Sequence, residues 1–105
     1  MRNYEREESI KPLIFDGTNF FYWKVRVTSY LKSLGTKVWD IIETWYTFPL
    51  ATPTDPAEKK KYETNAKVVN TLLGCLSQSE FMKVMQYKSA KEIWDKIVLS
   101  YKGDE

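Results

Sequence analysis

At 105 residues the chain has room for one hydrophobic core and not comfortably for two. Apolar residues at 43% and aromatics at 15% exclude the disordered class, while 16 basic against 14 acidic residues leave a formal charge of +2, not a polyanion-binding composition. No histidine and a single cysteine exclude Ser/His/Asp and Cys/His catalysis, an internal disulfide and a Cys/His zinc site.

The chain opens on Met1 to Glu8, charged where a signal peptide would turn hydrophobic, and contains no apolar run of about 18 residues. A soluble chain with no membrane partner is expected. Residues 1–11 are polar and aperiodic and read as a flexible arm, and residues 12–105 as one helical domain. After Pro12 the apolar trio Leu13, Ile14 and Phe15 is expected to dock back on the domain. Asp16-Gly17-Thr18-Asn19 is a turn cluster in which Thr18 or Asn19 can cap a first helix.

In that helix Phe20, Trp23, Val27, Tyr30, Leu31 and Leu34 recur at helical spacing and predict a core face. Phe21 and Val25 fall off it. Gly35 suits the left-handed position after a helix end, and Thr36 can cap a second helix carrying Val38, Trp39, Ile41 and Ile42. Pro49 and Pro53 then forbid regular helix from Trp45 to Thr54, a loop that carries Tyr46, Phe48 and Leu50.

Asp55-Pro56-Ala57-Glu58 combines a capping carboxylate, proline at the first helical position and Glu three residues after the cap. The helix it opens places Tyr62, Ala66, Val69, Leu73 and Leu76 at steps of four and three, predicting a core stripe that runs to about Ser77. Ser77-Gln78-Ser79-Glu80 and Ser89-Ala90-Lys91-Glu92 read as capping boxes. They open a short helix with Phe81, Val84 and Met85 and a last one with Ile93, Trp94, Ile97 and Tyr101. The fold class is therefore all-α, a compact bundle of about five helices. Its predicted core comprises Phe20, Trp23, Val27, Leu31, Trp39, Leu73, Ile93, Trp94 and Ile97.

Little in the pattern carries chemistry. Asp40 with Glu43 and Glu92 with Asp95 are spaced by three on amphipathic helices, the pattern of a solvated face. The four glycines are isolated, so no phosphate loop exists, and Lys59-Lys60-Lys61 has no interleaved aromatic platform for nucleic acid. Cys75, between Leu72, Leu73 and Leu76, reads as a small buried hydrophobe in a reducing compartment, consistent with a cytoplasmic location. No enzyme activity, cofactor or metal is expected. The apolar residues left over from the core face and the loop, namely Phe21, Val25, Trp45, Tyr46, Phe48 and Leu50, are the candidate protein contacts.

Phe15-Asp16-Gly17-Thr18-Asn19-Phe20 followed by Trp23-Lys24-Val25-Arg26 resembles the opening of the Gag polypeptides of Copia-type LTR retrotransposons, an F-x-G-x-N-[FY]-x-x-W pattern. The resemblance continues through Tyr30 to Gly35, Val38-Trp39-Asp40, Asn65-Ala66-Lys67 and Ser79-Glu80-Phe81, and closes on Ser89 to Lys96 and Tyr101-Lys102-Gly103. It implies a lobe similar to the N-terminal part of retroviral capsid proteins, a homo-oligomer that self-associates weakly in isolation into a shell around the element's RNA. A full polypeptide of that kind would continue into a second lobe and commonly a zinc knuckle. Trp45 departs from the family, which often has Gly there. The alternative expectation is a repurposed Gag-derived adaptor that binds another protein or a peptide in a groove between helices.

Overall fold

The computed structural model of the chain describes residues 14–44 and 46–102. Five helices follow in order: α1 (Phe20–Ser33), α2 (Thr36–Glu43), α3 (Pro56–Gly74), α4 (Gln78–Val84) and α5 (Ala90–Tyr101). No strand occurs among the described residues. The single extended pairing among the described residues is a parallel bridge between Phe15 and Leu76, so the architecture is all-α. The expected arm at residues 1–11 lies outside the described residues, as do Pro12 and Leu13.

The helix starts divide by cap chemistry. Asp55, Ser77 and Ser89 each accept a backbone N–H from the residue three positions on, at 3.1, 3.4 and 3.1 Å. Each thereby satisfies one amide that the helix leaves unpaired. The two caps expected earlier in the chain are absent. Asn19 precedes α1 in a left-handed conformation (φ 53°) with no side-chain cap bond, because Asp16 takes the Thr18 amide and hydroxyl into a local turn. Thr36 lies inside α2, and Gly35 stands before it at φ 128° and ψ 153°, an extended positive-φ conformation that only glycine tolerates well.

Phe20, Trp23, Val27 and Leu31 of α1 are buried, as are Ile41 and Ile42 of α2 and Ala90, Ile93, Trp94 and Ile97 of α5. The α1 face ends one turn early, since Leu34 is half exposed. Aromatic rings form a continuous seam through this core. Phe15 stacks on Trp23 with centroids 4.8 Å apart, Trp23 lies 5.9 Å from Trp94, and Trp94 meets Trp39 edge to face at 5.7 Å. Trp39, expected in the core, is only half-buried. It sits at the end of the seam, with the Lys32 ammonium 5.4 Å above its outer face.

The main correction concerns the phase of α3. Its buried residues are Asn65, Val68 and Leu72, while Tyr62, Val69 and Leu73 are half-buried and Ala66 is exposed. This helix carries two apolar stripes side by side, and periodicity favoured the longer one. The stripe turned inward contains an asparagine, which a count of apolar positions places outside. Asn65 is 1% exposed: its amide donates to the Lys88 carbonyl at 2.9 Å, and its side-chain oxygen accepts the Ala90 amide at 2.8 Å. The first turn of α5 is thus pinned to the middle of α3 by a side chain whose polar atoms are both satisfied.

The start of the described chain is held by a second polar device. Phe15 donates its amide to the Cys75 carbonyl at 2.7 Å and accepts the Ser77 amide at 2.9 Å. Phe15 is buried, whereas Ile14 of the same apolar trio is exposed. Because the Ser77 amide is taken, the capping box at α4 is only half formed. Glu80 turns inward instead, accepting the Tyr101 hydroxyl at 2.5 Å and the Lys83 ammonium at 3.1 Å. A side chain at Gly17 would meet Glu80 Oε2 at 3.2 Å, and its φ of +98° disfavours other residues.

Candidate contact surface

The two apolar groups proposed as contacts occupy different parts of the molecule. On α1 the buried face of Phe20, Trp23, Val27 and Leu31 anchors the helix, which leaves the opposite side to solvent. Phe21, Tyr22 and Val25 are 57%, 52% and 49% exposed there. Arg26 donates to the Tyr22 hydroxyl at 3.0 Å, one turn away, and its guanidinium lies 5.8 Å from the ring centroid. Tyr22 was not singled out in the sequence, although its helical spacing sets it off the core face as it does Phe21 and Val25.

The second group, in the loop before α3, is divided by the structure. Trp45 lies outside the described residues. Tyr46 is half-buried and packs against the core, and its hydroxyl is buried without a hydrogen-bond partner among the described residues. Burial pushes its phenol pKa up, with smaller contributions from Glu58 and Tyr62. Phe48 is half-buried between α3 and the turn before α5: its ring lies 5.6 Å from that of Tyr62, and the Lys88 ammonium stands 5.7 Å from its centroid. Leu50 is fully exposed.

Phe48 thereby separates two shallow hollows. One, of about 330 Å³, is lined by Phe48, Tyr62, Ala66, Val69, Leu73 and Lys88 together with two asparagines. The other, of about 430 Å³, lies on the far side of Phe48 and includes Pro49, Leu50, Tyr87 and again Lys88. Four residues of the stripe expected on α3, Tyr62, Ala66, Val69 and Leu73, wall the first hollow, with Val69 and Leu73 also packed against the core, while the fifth, Leu76, is buried. The stripe's helical spacing was visible in the sequence; its destination was not.

No group of three metal-binding side chains occurs among the described residues. The Cys75 thiol is 4% exposed, and burial pushes its pKa to about 11, so it stays protonated and non-nucleophilic near neutrality. In the Glu80–Tyr101–Lys83 cluster Glu80 is buried, Tyr101 half-buried and Lys83 exposed: burial, followed by Glu80, pushes the Tyr101 phenol up, and the Tyr101 and Glu80 contacts push Lys83 up. Its members hold α4 to α5. No helix among the described residues is long and apolar enough to cross a membrane.

The chain matches no family model, no curated protein and no solved structure.

Proposed function

We propose that this domain acts without catalysis, by associating with copies of itself as the capsid-type lobe of a Copia-type Gag polypeptide or of a gene derived from one. The observation that carries this reading is the α1 ridge: three neighbouring apolar or aromatic side chains, each about half exposed, on a helix whose opposite face is fully packed. A rigid helix presenting such a ridge suits repeated, individually weak contacts, to which a shell of many copies adds avidity. The sequence motifs from Phe15 to Trp23 and from Ser89 to Trp94 support the same reading by resemblance. In this reading the shell encloses the element's RNA without gripping it through this region, in keeping with a formal charge of +2 spread over 30 charged side chains, 16 basic and 14 acidic.

Sedimentation velocity across a wide concentration range, with electron microscopy of the most concentrated samples, tests the proposal. Concentration-dependent association into rings, sheets or closed particles is expected. It should be lost in Phe21→Asp and Val25→Asp, whose side chains are outside the core. A strict monomer at all concentrations, or assembly indifferent to both substitutions, defeats the ridge reading and leaves an adaptor role as the better account.

A further inference from the structure

The Ser77 amide has two acceptors that compete for it. In the structure it donates to the Phe15 carbonyl at 2.9 Å, while the Phe15 amide donates to the Cys75 carbonyl at 2.7 Å. Ser77 is also the N-cap of α4, and Glu80 stands at the third helical position, from which a carboxylate ordinarily turns back to the N-cap amide. At the other Ser-x-x-Glu start the carboxylate does stay at its helix end: Glu92 lies 3.2 Å from the Ser89 hydroxyl. At α4 the place is taken by Phe15, and Glu80 reaches away to Tyr101 and Lys83.

The segment that takes it is short and leads into a sharp turn. Ile14 and Asp16, on either side of Phe15, are exposed, and the Phe15 ring packs on Phe20, Trp23 and Tyr101 with centroids 5.7, 4.8 and 4.9 Å away. Gly17 and Asn19 both have positive φ, 98° and 53°, where the chain bends before α1. Gly17 lies directly against Glu80. We propose that residues 14–18 form a two-state latch: down, Phe15 takes the Ser77 amide and Glu80 holds Tyr101; lifted, Glu80 turns back to close the capping box at Ser77, and the rings of Phe20, Trp23 and Tyr101 are uncovered. The down state is the major one, because lifting exposes the Phe15 ring and breaks the bond of its amide. Glu80 lowers the cost of lifting by giving the Ser77 amide a new partner. Because Tyr101 lies in the last turn of α5, the latch links the chain ahead of α1 to the start of α4 and the end of α5. It involves neither Phe21 nor Val25, so it stands or falls separately from self-association.

Amide hydrogen exchange of the full chain, followed residue by residue by NMR and corrected for intrinsic rates, tests the latch. In the lifted state the Phe15 amide is bare, whereas the Ser77 amide is bonded to a carboxylate, which protects it by about tenfold. The Phe15 amide should accordingly exchange about tenfold faster than the Ser77 amide, its neighbour in the same bridge, and faster than the Val27 amide in the core. Glu80→Ala, which cannot close the box, should bring the Phe15 and Ser77 rates together, while Glu80→Gln, whose side-chain oxygen still can, should keep part of the gap. Tyr101→Phe removes only the partner that Glu80 has in the down state, so it should speed Phe15 exchange and leave the gap. Circular dichroism establishes that the variants remain helical, and the comparison within the unaltered chain decides the matter even where Glu80→Ala fails to fold. Equal rates for Phe15 and Ser77 in the unaltered chain, a Phe15 rate as slow as that of Val27, or a gap that survives Glu80→Ala overturns the proposal.

Discussion

Replacing Asn65 by Leu tests the polar joint between α3 and α5 with a side chain of the same heavy-atom count and branching. The substitution leaves the Ala90 amide, on a residue with 0% exposure, without its acceptor, and removes the donor from the Lys88 carbonyl. Losing a buried partner costs about 1–3 kcal/mol for the group left behind. The Ala90 amide is the buried member of the two and carries most of that loss, whereas the Lys88 carbonyl, at a partly solvated turn, carries less. A gross loss of about 2–4 kcal/mol follows, from which burial of the Leu side chain subtracts about 1.5 kcal/mol, leaving about 0.5–2.5 kcal/mol. With a urea dependence of about 2 kcal/mol per molar, the unfolding midpoint should fall by about 0.3–1.2 M. Tryptophan fluorescence reports the transition directly, because Trp23 and Trp94 are in the core. The exposed neighbour Asn70→Leu serves as the control and should leave the midpoint nearly unchanged. A midpoint for Asn65→Leu equal to that of the control would mean that the two hydrogen bonds contribute nothing net and that the account of α5's anchoring is wrong.

Other expectations follow from the same contacts. Trp94→Ala removes a ring that touches both Trp23 and Trp39 and should cost about 3–5 kcal/mol in urea unfolding; a loss under about 1 kcal/mol would place the ring at the surface. Tyr101→Phe deprives the buried Glu80 carboxylate of its 2.5 Å donor and should cost about 1–3 kcal/mol, measured the same way, while Lys83→Met, at a solvent-exposed ammonium, should do less harm. The Cys75 thiol has its pKa raised from 9.0 to about 11 by burial, so the unfolded chain loses this proton first as pH rises. Stability is therefore fully present below about pH 9 and should decline between pH 9 and 11, and Cys75→Ala should flatten that part of the decline in thermal melts. The same burial predicts that a thiol reagent at pH 8 modifies Cys75 only at the rate of unfolding; fast labelling of the native protein would contradict it.

The helix count, the loop forced by Pro49 and Pro53, and the caps at Asp55, Ser77 and Ser89 were legible because each depends on residues within one turn of each other. The inward face of α1 was legible for a related reason: its apolar residues form one stripe, so there was only one way to turn it. At Asn19 and Thr36 local reasoning failed, since Asp16 and Gly35 offered competing local geometry that a preference for capping residues does not weigh. Within the candidate contacts, the exposure of Phe21, Val25 and Leu50 could be anticipated, and the same helical spacing held that of Tyr22, but not the half-burial of Tyr46 and Phe48.

Local pattern determined where this chain is helical and that its helices are amphipathic; only the tertiary structure decided which of two stripes on α3 faces inward. Asn65 explains why. Its two polar atoms belong inside only when the Lys88 carbonyl and the Ala90 amide are brought to meet them from more than twenty residues away. That pairing turns Val68 and Leu72 into the core and leaves Tyr62, Ala66, Val69 and Leu73 as the wall of a groove. The burial of Glu80 has the same origin, because its partner Tyr101 lies twenty-one residues along the chain. Periodicity measures how apolar a face is, whereas the choice between faces rests on polar partners that only the assembled fold supplies.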